Sequence, residues 1–88
     1  MAFVTFIAYH PEAGVVIPGS AGVRKVRWGI SGRGKRGGVR VIYYFHNEMM
    51  PLFLLTVYAK ARRGDLSRTE LQIIRRMVGE LKAQYAKD

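Results

Sequence analysis

The chain reads as an α+β domain: a small antiparallel sheet, a three-stranded meander, with an N-terminal helical segment and a C-terminal amphipathic helix. Three observations predict this. Residues 23–30 and 39–46 form two strand-like runs separated by a glycine-rich loop. A third apolar run follows at residues 52–60. The final segment then changes to three- and four-residue hydrophobic spacing, the period of a helix lying on a core.

Taken in order, AFVTFIAY (2–9) looks like a short helix. Phe3, Phe6 and Ile7 sit at helical spacing, and Pro11 stops the run at His10. VIPGSAG reads as a loop. In VRKVRWGI (23–30), Val26, Trp28 and Ile30 fall on one face and Lys25 and Arg27 on the other, as in a half-buried strand. SGRGKRGG (31–38) is a loop by its glycines. VRVIYYFH (39–46) is β-branched and aromatic, hence a central strand. HNEMMP is a turn, with Met49 and Met50 expected to be exposed. LFLLTVYAK (52–60) is apolar on both sides, so both faces are expected to be covered. Ser67 and Glu70 form an S-x-x-E capping box, with Leu66 and Leu71 at the staple positions. Leu71, Ile74, Val78, Leu81 and Tyr85 then mark one helical face.

The chain has 88 residues, of which 49% are hydrophobic, including five Tyr, four Phe and one Trp. That suffices for one modest core, smaller than the ~100–150 residues of a typical domain. Cysteine is absent, so disulfides and thiolate metal sites are excluded. No run reaches the ~18 apolar residues of a membrane span. MAFVTFIAYHPEAG lacks the basic start and small-residue cleavage site of a signal peptide. The expectation is a soluble, cytoplasmic protein with no membrane partner.

Fifteen Lys and Arg against six Asp and Glu give a net charge of +9. Such an excess favours polyanionic partners. No acid lies between Glu12 and Glu48, whereas Arg24, Lys25, Arg27, Arg33, Lys35, Arg36 and Arg40 all do. Gly29 to Lys35 spells G-x-x-x-x-G-K, the start of a phosphate-binding loop. Arg36 stands where that motif needs Ser or Thr for Mg²⁺, and a strand follows where it needs a helix, so the match is accidental.

If residues 23–30 pair with 39–46 across the loop, Arg27 stands opposite Arg40 and Lys25 opposite Ile42. Facing like charges cost free energy, which a bound polyanion would offset. Lys25, Arg27 and Arg40, with Tyr44 along the same face, combine phosphate contacts with a surface for base stacking, one way single-stranded RNA is held. Two His without Cys make a poor metal site. No Ser–His–Asp or paired-carboxylate arrangement suggests itself.

GVRKVRW, GKRGGVRVIYYF, FLLTVYAK and D-L-S together resemble the RelE/HigB toxins of the RelE/ParE superfamily, in particular the HigB-like branch. The resemblance covers residues 10–82, roughly. It implies a toxin of a type II toxin–antitoxin pair: a metal-independent endoribonuclease that cuts mRNA in the ribosomal A site. It also implies inhibition by a cognate antitoxin, in this branch usually a helix-turn-helix DNA-binding protein. Carried over by motif position, Lys25, Arg27 and Arg40 are the catalytic candidates. Arg24, Arg33, Lys35, Arg36, Tyr44 and Lys60 are the candidates for contact with mRNA or ribosomal RNA. No cofactor is implied. Relatives usually begin with a strand and one or two helices ahead of the segment matching HPEAG. Only AFVTFIAY stands there, so a short N-terminus and an exposed sheet edge are expected. Some members carry a tyrosine after the third strand, where this chain has ARRGDLS. The resemblance is also compatible with a toxin-like protein that binds RNA, ribosome or antitoxin without cutting.

Overall fold

The computed structural model describes residues 2–29, 38–59 and 64–85. Helix α1 (Phe3–Tyr9) comes first, followed by strands β1 (Val15–Val16), β2 (Arg24–Trp28), β3 (Val39–Tyr44) and β4 (Phe53–Ala59), then helix α2 (Arg68–Tyr85). The strands form one antiparallel sheet in chain order, β1-β2-β3-β4. The α+β class and the three long strands match the expectation. The two-residue β1 is an addition: Val15 pairs with Lys25 and Val16 with Arg24, so part of the supposed loop is a sheet edge. So short a strand carries no readable alternation.

Between β1 and β2 the chain turns through three residues of positive φ, Gly19, Ala21 and Gly22. Ser20 holds this turn. Its buried hydroxyl donates to the Ile17 carbonyl at 2.6 Å and accepts from the Val23 amide at 2.9 Å.

Directly opposed residues of neighbouring strands share a face of the sheet. Face one carries Ile42 and Tyr44, which gather with Val23, Met50 and Tyr58 under Ile74 and Val78 of α2. The capping box that starts α2 is formed reciprocally. The Glu70 amide donates to Ser67 Oγ at 3.1 Å and the Ser67 amide to Glu70 Oε1 at 2.8 Å. Leu66 and Leu81 flank the cluster, and Tyr85 meets Phe53 edge-on at 5.9 Å.

Face two is covered by α1, whose Phe3 and Phe6 rings both lie 5.1 Å from Trp28. Tyr43 ties the segment after α1 to this face. Its hydroxyl donates to the Pro11 carbonyl at 2.7 Å and accepts from the Gly14 amide at 2.9 Å. A side chain at Gly14 would meet the Lys25 carbonyl at 2.8 Å, so the close approach requires glycine.

Two expectations are corrected. β4 is not covered on both faces: Leu54 and Val57 are about half exposed, at 49% and 55%. β4 is an edge strand, and α1 packs on the β2 side, leaving these residues uncovered. Met50 is buried in the core and only Met49 is exposed, because the turn at Asn47 directs the two methionines apart. Among the described residues, no helix is long and apolar enough to cross a membrane.

Candidate RNA-binding face

The β2–β3 register pairs Arg27 with Arg40 and Lys25 with Ile42, as the loop geometry predicted. The β3–β4 register extends both rows: Arg40 faces Tyr58, and Ile42 faces Thr56. Face one therefore has two ends. Around Ile42 and Tyr44 it is roofed by α2. Around Arg27 and Arg40 it carries cations, with Arg27 exposed and Arg40 and Lys25 half-buried.

Cross-strand pairing of two arginines opposes folding by roughly 0.2–1 kcal/mol. Among the described residues, neither is paired with a carboxylate. The one ion pair there joins Lys25 Nζ to Asp65 Oδ1 at 3.4 Å. Asp65 is 64% exposed, so solvent limits this pair to at most about 1 kcal/mol. The same oxygen accepts from the Tyr58 hydroxyl at 3.3 Å and the Leu66 amide at 3.0 Å. The Leu66 amide holds the Asp65 carboxyl below its usual range; desolvation, the next largest effect, opposes it, and the charge and hydrogen bond of Lys25 and the Tyr58 hydroxyl add smaller contributions in the lowering direction.

The remaining sequence-derived candidates divide three ways. Arg24 is not on this face. It neighbours Lys25 along the strand and so projects to face two, where Nη1 donates to the Gly14 carbonyl at 2.7 Å and the Glu12 carbonyl at 3.4 Å. Its charge is engaged in holding the N-terminal segment. Tyr44 shares the face of Arg40 but lies under α2, 3% exposed, with its hydroxyl 3.3 Å from His46 Nδ1. It is a core residue, not a stacking platform, and burial raises its pKa. Arg33, Lys35, Arg36 and Lys60 lie outside the described residues, as does the phosphate-loop look-alike between Gly29 and Gly38.

Sequence reasoning passed over Tyr58 and Asp65. The third strand was read for its apolar content, which hid a tyrosine opposite Arg40. Asp65 stands two residues before the capping serine and was read only as part of D-L-S. The signal for Tyr58 was the register: once Arg27 faces Arg40, the next residue across the sheet belongs to the same row. The histidines serve packing. His10 lies against Phe6 at 5.1 Å and His46 stacks on Tyr44 at 6.3 Å. Among the described residues, no three His, Asp or Glu side chains are grouped to hold a metal ion.

What the open end offers chemically is a row of cations on a rigid antiparallel scaffold, fit to grip a phosphate and to stabilise charge developing on it. Residues 18–88, from the turn before β2 onward, match the family model described as the RelE toxin of the RelE/RelB toxin–antitoxin system. The matched segment contains the whole cationic face and most of the chain, and the protein accordingly belongs to the RelE family of toxins of toxin–antitoxin systems.

Proposed function

We propose that this toxin is a ribosome-dependent mRNA endoribonuclease of the HigB-like kind, acting in the cytoplasm and held inactive by a cognate antitoxin of the helix-turn-helix type. The observation that carries the reading is the Arg27–Arg40 pair, set beside Lys25 and without carboxylate partners among the described residues. A repulsive arrangement of this kind is relieved by a bound polyanion.

RNA brings its own nucleophile. The 2′-oxygen attacks the adjacent phosphorus and gives up its proton, the bond to the 5′-oxygen breaks, and that oxygen takes up a proton. The products are a 2′,3′-cyclic phosphate and a free 5′-hydroxyl. The protein must hold the phosphate in line, stabilise the added negative charge in the transition state and move two protons. Arg40, central in the row, contacts the phosphate and stabilises the transition state. Arg27 and Lys25 position the phosphate and the 2′-oxygen, and Lys25 is the candidate for proton transfer. Arg33, Lys35, Arg36 and Lys60 contribute backbone contacts to mRNA or ribosomal RNA.

The test is primer extension on a reporter mRNA in a purified translation reaction, with and without ribosomes. Wild type is expected to cut only when ribosomes are present. Arg40→Ala is expected to abolish cutting while antitoxin binding stays largely intact. Wild-type rates from Arg40→Ala would overturn the site assignment. No cutting by the folded wild-type chain would leave a protein that binds without cleaving.

A further inference from the structure

We infer that Asp65 is a positioning residue of this face: its carboxylate fixes the Lys25 ammonium and the Tyr58 hydroxyl beside the Arg27–Arg40 row, and cleavage depends on it through Lys25. This rests on the proposed nuclease reading and adds to it a residue that acts through another.

Three donors from three parts of the chain converge on one oxygen of Asp65. Lys25 comes from β2, Tyr58 from β4, and the Leu66 amide from the turn before α2. Lys25 and Tyr58 lie in adjacent rows of the sheet, on either side of β3, so the carboxylate bridges across β3 at the boundary between Ile42 and Arg40. The turn that carries Asp65 is itself set by the capping box of α2 two residues on. The anchor is thus tied to the packed end of the molecule, while its reach extends to the open end.

Lysine alone is poorly suited to such a site. Its charge rides on a flexible four-carbon stem, unlike the planar fork of arginine. With Arg27 on the same face two residues along, an untethered Lys25 would be driven away from the row. Asp65 supplies the opposing pull. Its carboxylate is also a weak proton acceptor near neutral pH, since its neighbours favour the ionised form. Orientation of Lys25, rather than proton abstraction, is the role that suits it.

The experiment is single-turnover cleavage of mRNA on programmed ribosomes. It compares wild type with Asp65→Ala, Asp65→Asn, Lys25→Ala and the Asp65→Ala/Lys25→Ala double variant. Thermal unfolding of each first establishes that it is folded at the assay temperature. Asp65→Ala is expected to slow the cleavage step by roughly 10- to 100-fold, the effect of a misplaced catalytic group. Asp65→Asn keeps an acceptor oxygen for Tyr58 and Leu66 and is expected to recover part of the rate. In the Lys25→Ala background, Asp65→Ala should cost less than about two-fold more, because the group it positions is already gone. Equal or faster cleavage by Asp65→Ala, or the full loss repeated in the Lys25→Ala background, overturns the inference and leaves the nuclease reading standing. If wild type itself does not cut, the nuclease reading falls and this inference falls with it.

Discussion

One strand, β3, builds both ends of the same sheet face, and the two ends have opposite chemistry. Ile42 and Tyr44 are sealed under α2, whereas Arg40, two residues earlier on the same side, belongs to a half-open row of cations. The covered end gains from hydrophobic burial and close packing. The open end opposes folding slightly through Arg27 and Arg40. The contrast teaches where this face can carry charge: the roof supplies stability, and the uncovered remainder of the face is free to hold charges that a core would reject.

Substitutions at the two ends should therefore differ in size and sign. The largest effect is expected from Ile42→Ala, which leaves a cavity in the fully buried cluster and should cost about 2–5 kcal/mol in urea unfolding. Tyr43→Phe, on the opposite face, orphans the Gly14 amide and should cost about 1–3 kcal/mol by the same measurement. Ser67→Ala removes half of the capping box and should cost about 1 kcal/mol, seen as a lower melting temperature. Arg27→Ala is the smallest and has the opposite sign. Relief of the cross-strand repulsion should stabilise the chain by roughly 0.2–1 kcal/mol while weakening RNA binding. Destabilisation by Arg27→Ala comparable with that of Ser67→Ala would break the comparison.

Titration sharpens it further. Burial raises the pKa of Tyr43 and Tyr44 above the ordinary 10.0, although the Gly14 hydrogen bond and Arg24 partly offset the effect at Tyr43. The folded state keeps these protons longer than the unfolded chain does. Their contribution is complete below pH 10.0 and is lost as pH rises through the folded values, so unfolding monitored by circular dichroism should become easier in that alkaline window. Asp65 runs the other way. Its lowered pKa gives a contribution present above the ordinary 3.8 and lost as pH falls through the folded value. That contribution is small because the group is exposed. The buried tyrosines, one on each face, should therefore report alkali and the open end acid.

Much of this was legible in the chain. The capping box and the Leu71, Ile74, Val78, Leu81 and Tyr85 spacing placed α2, and the two strand-like runs 23–30 and 39–46 gave the pairing of Arg27 with Arg40. The alternation of residues 23–30 correctly put Lys25 and Arg27 on one side and Trp28 on the other. Alternation tells which residues share a side but not which part of that side a distant helix covers. Tyr44 was therefore expected beside the arginines in the open and was found under α2 instead. Arg24 failed for the complementary reason, since its partners are backbone carbonyls near Gly14 that carry no side-chain signature. Asp65 escaped because its relation to Lys25 spans forty positions in sequence and depends on where α2 begins.

The stacking of Phe3 and Phe6 on Trp28 has a practical consequence. Trp28 is the only tryptophan in the chain, and it sits on the side opposite α2. Its fluorescence is thus an intrinsic reporter for one helix alone. Detachment of α1 would shift its emission to the red, while loosening of α2 would leave the indole in place. Excited at the tryptophan edge, the unlabelled molecule distinguishes its two helices by colour.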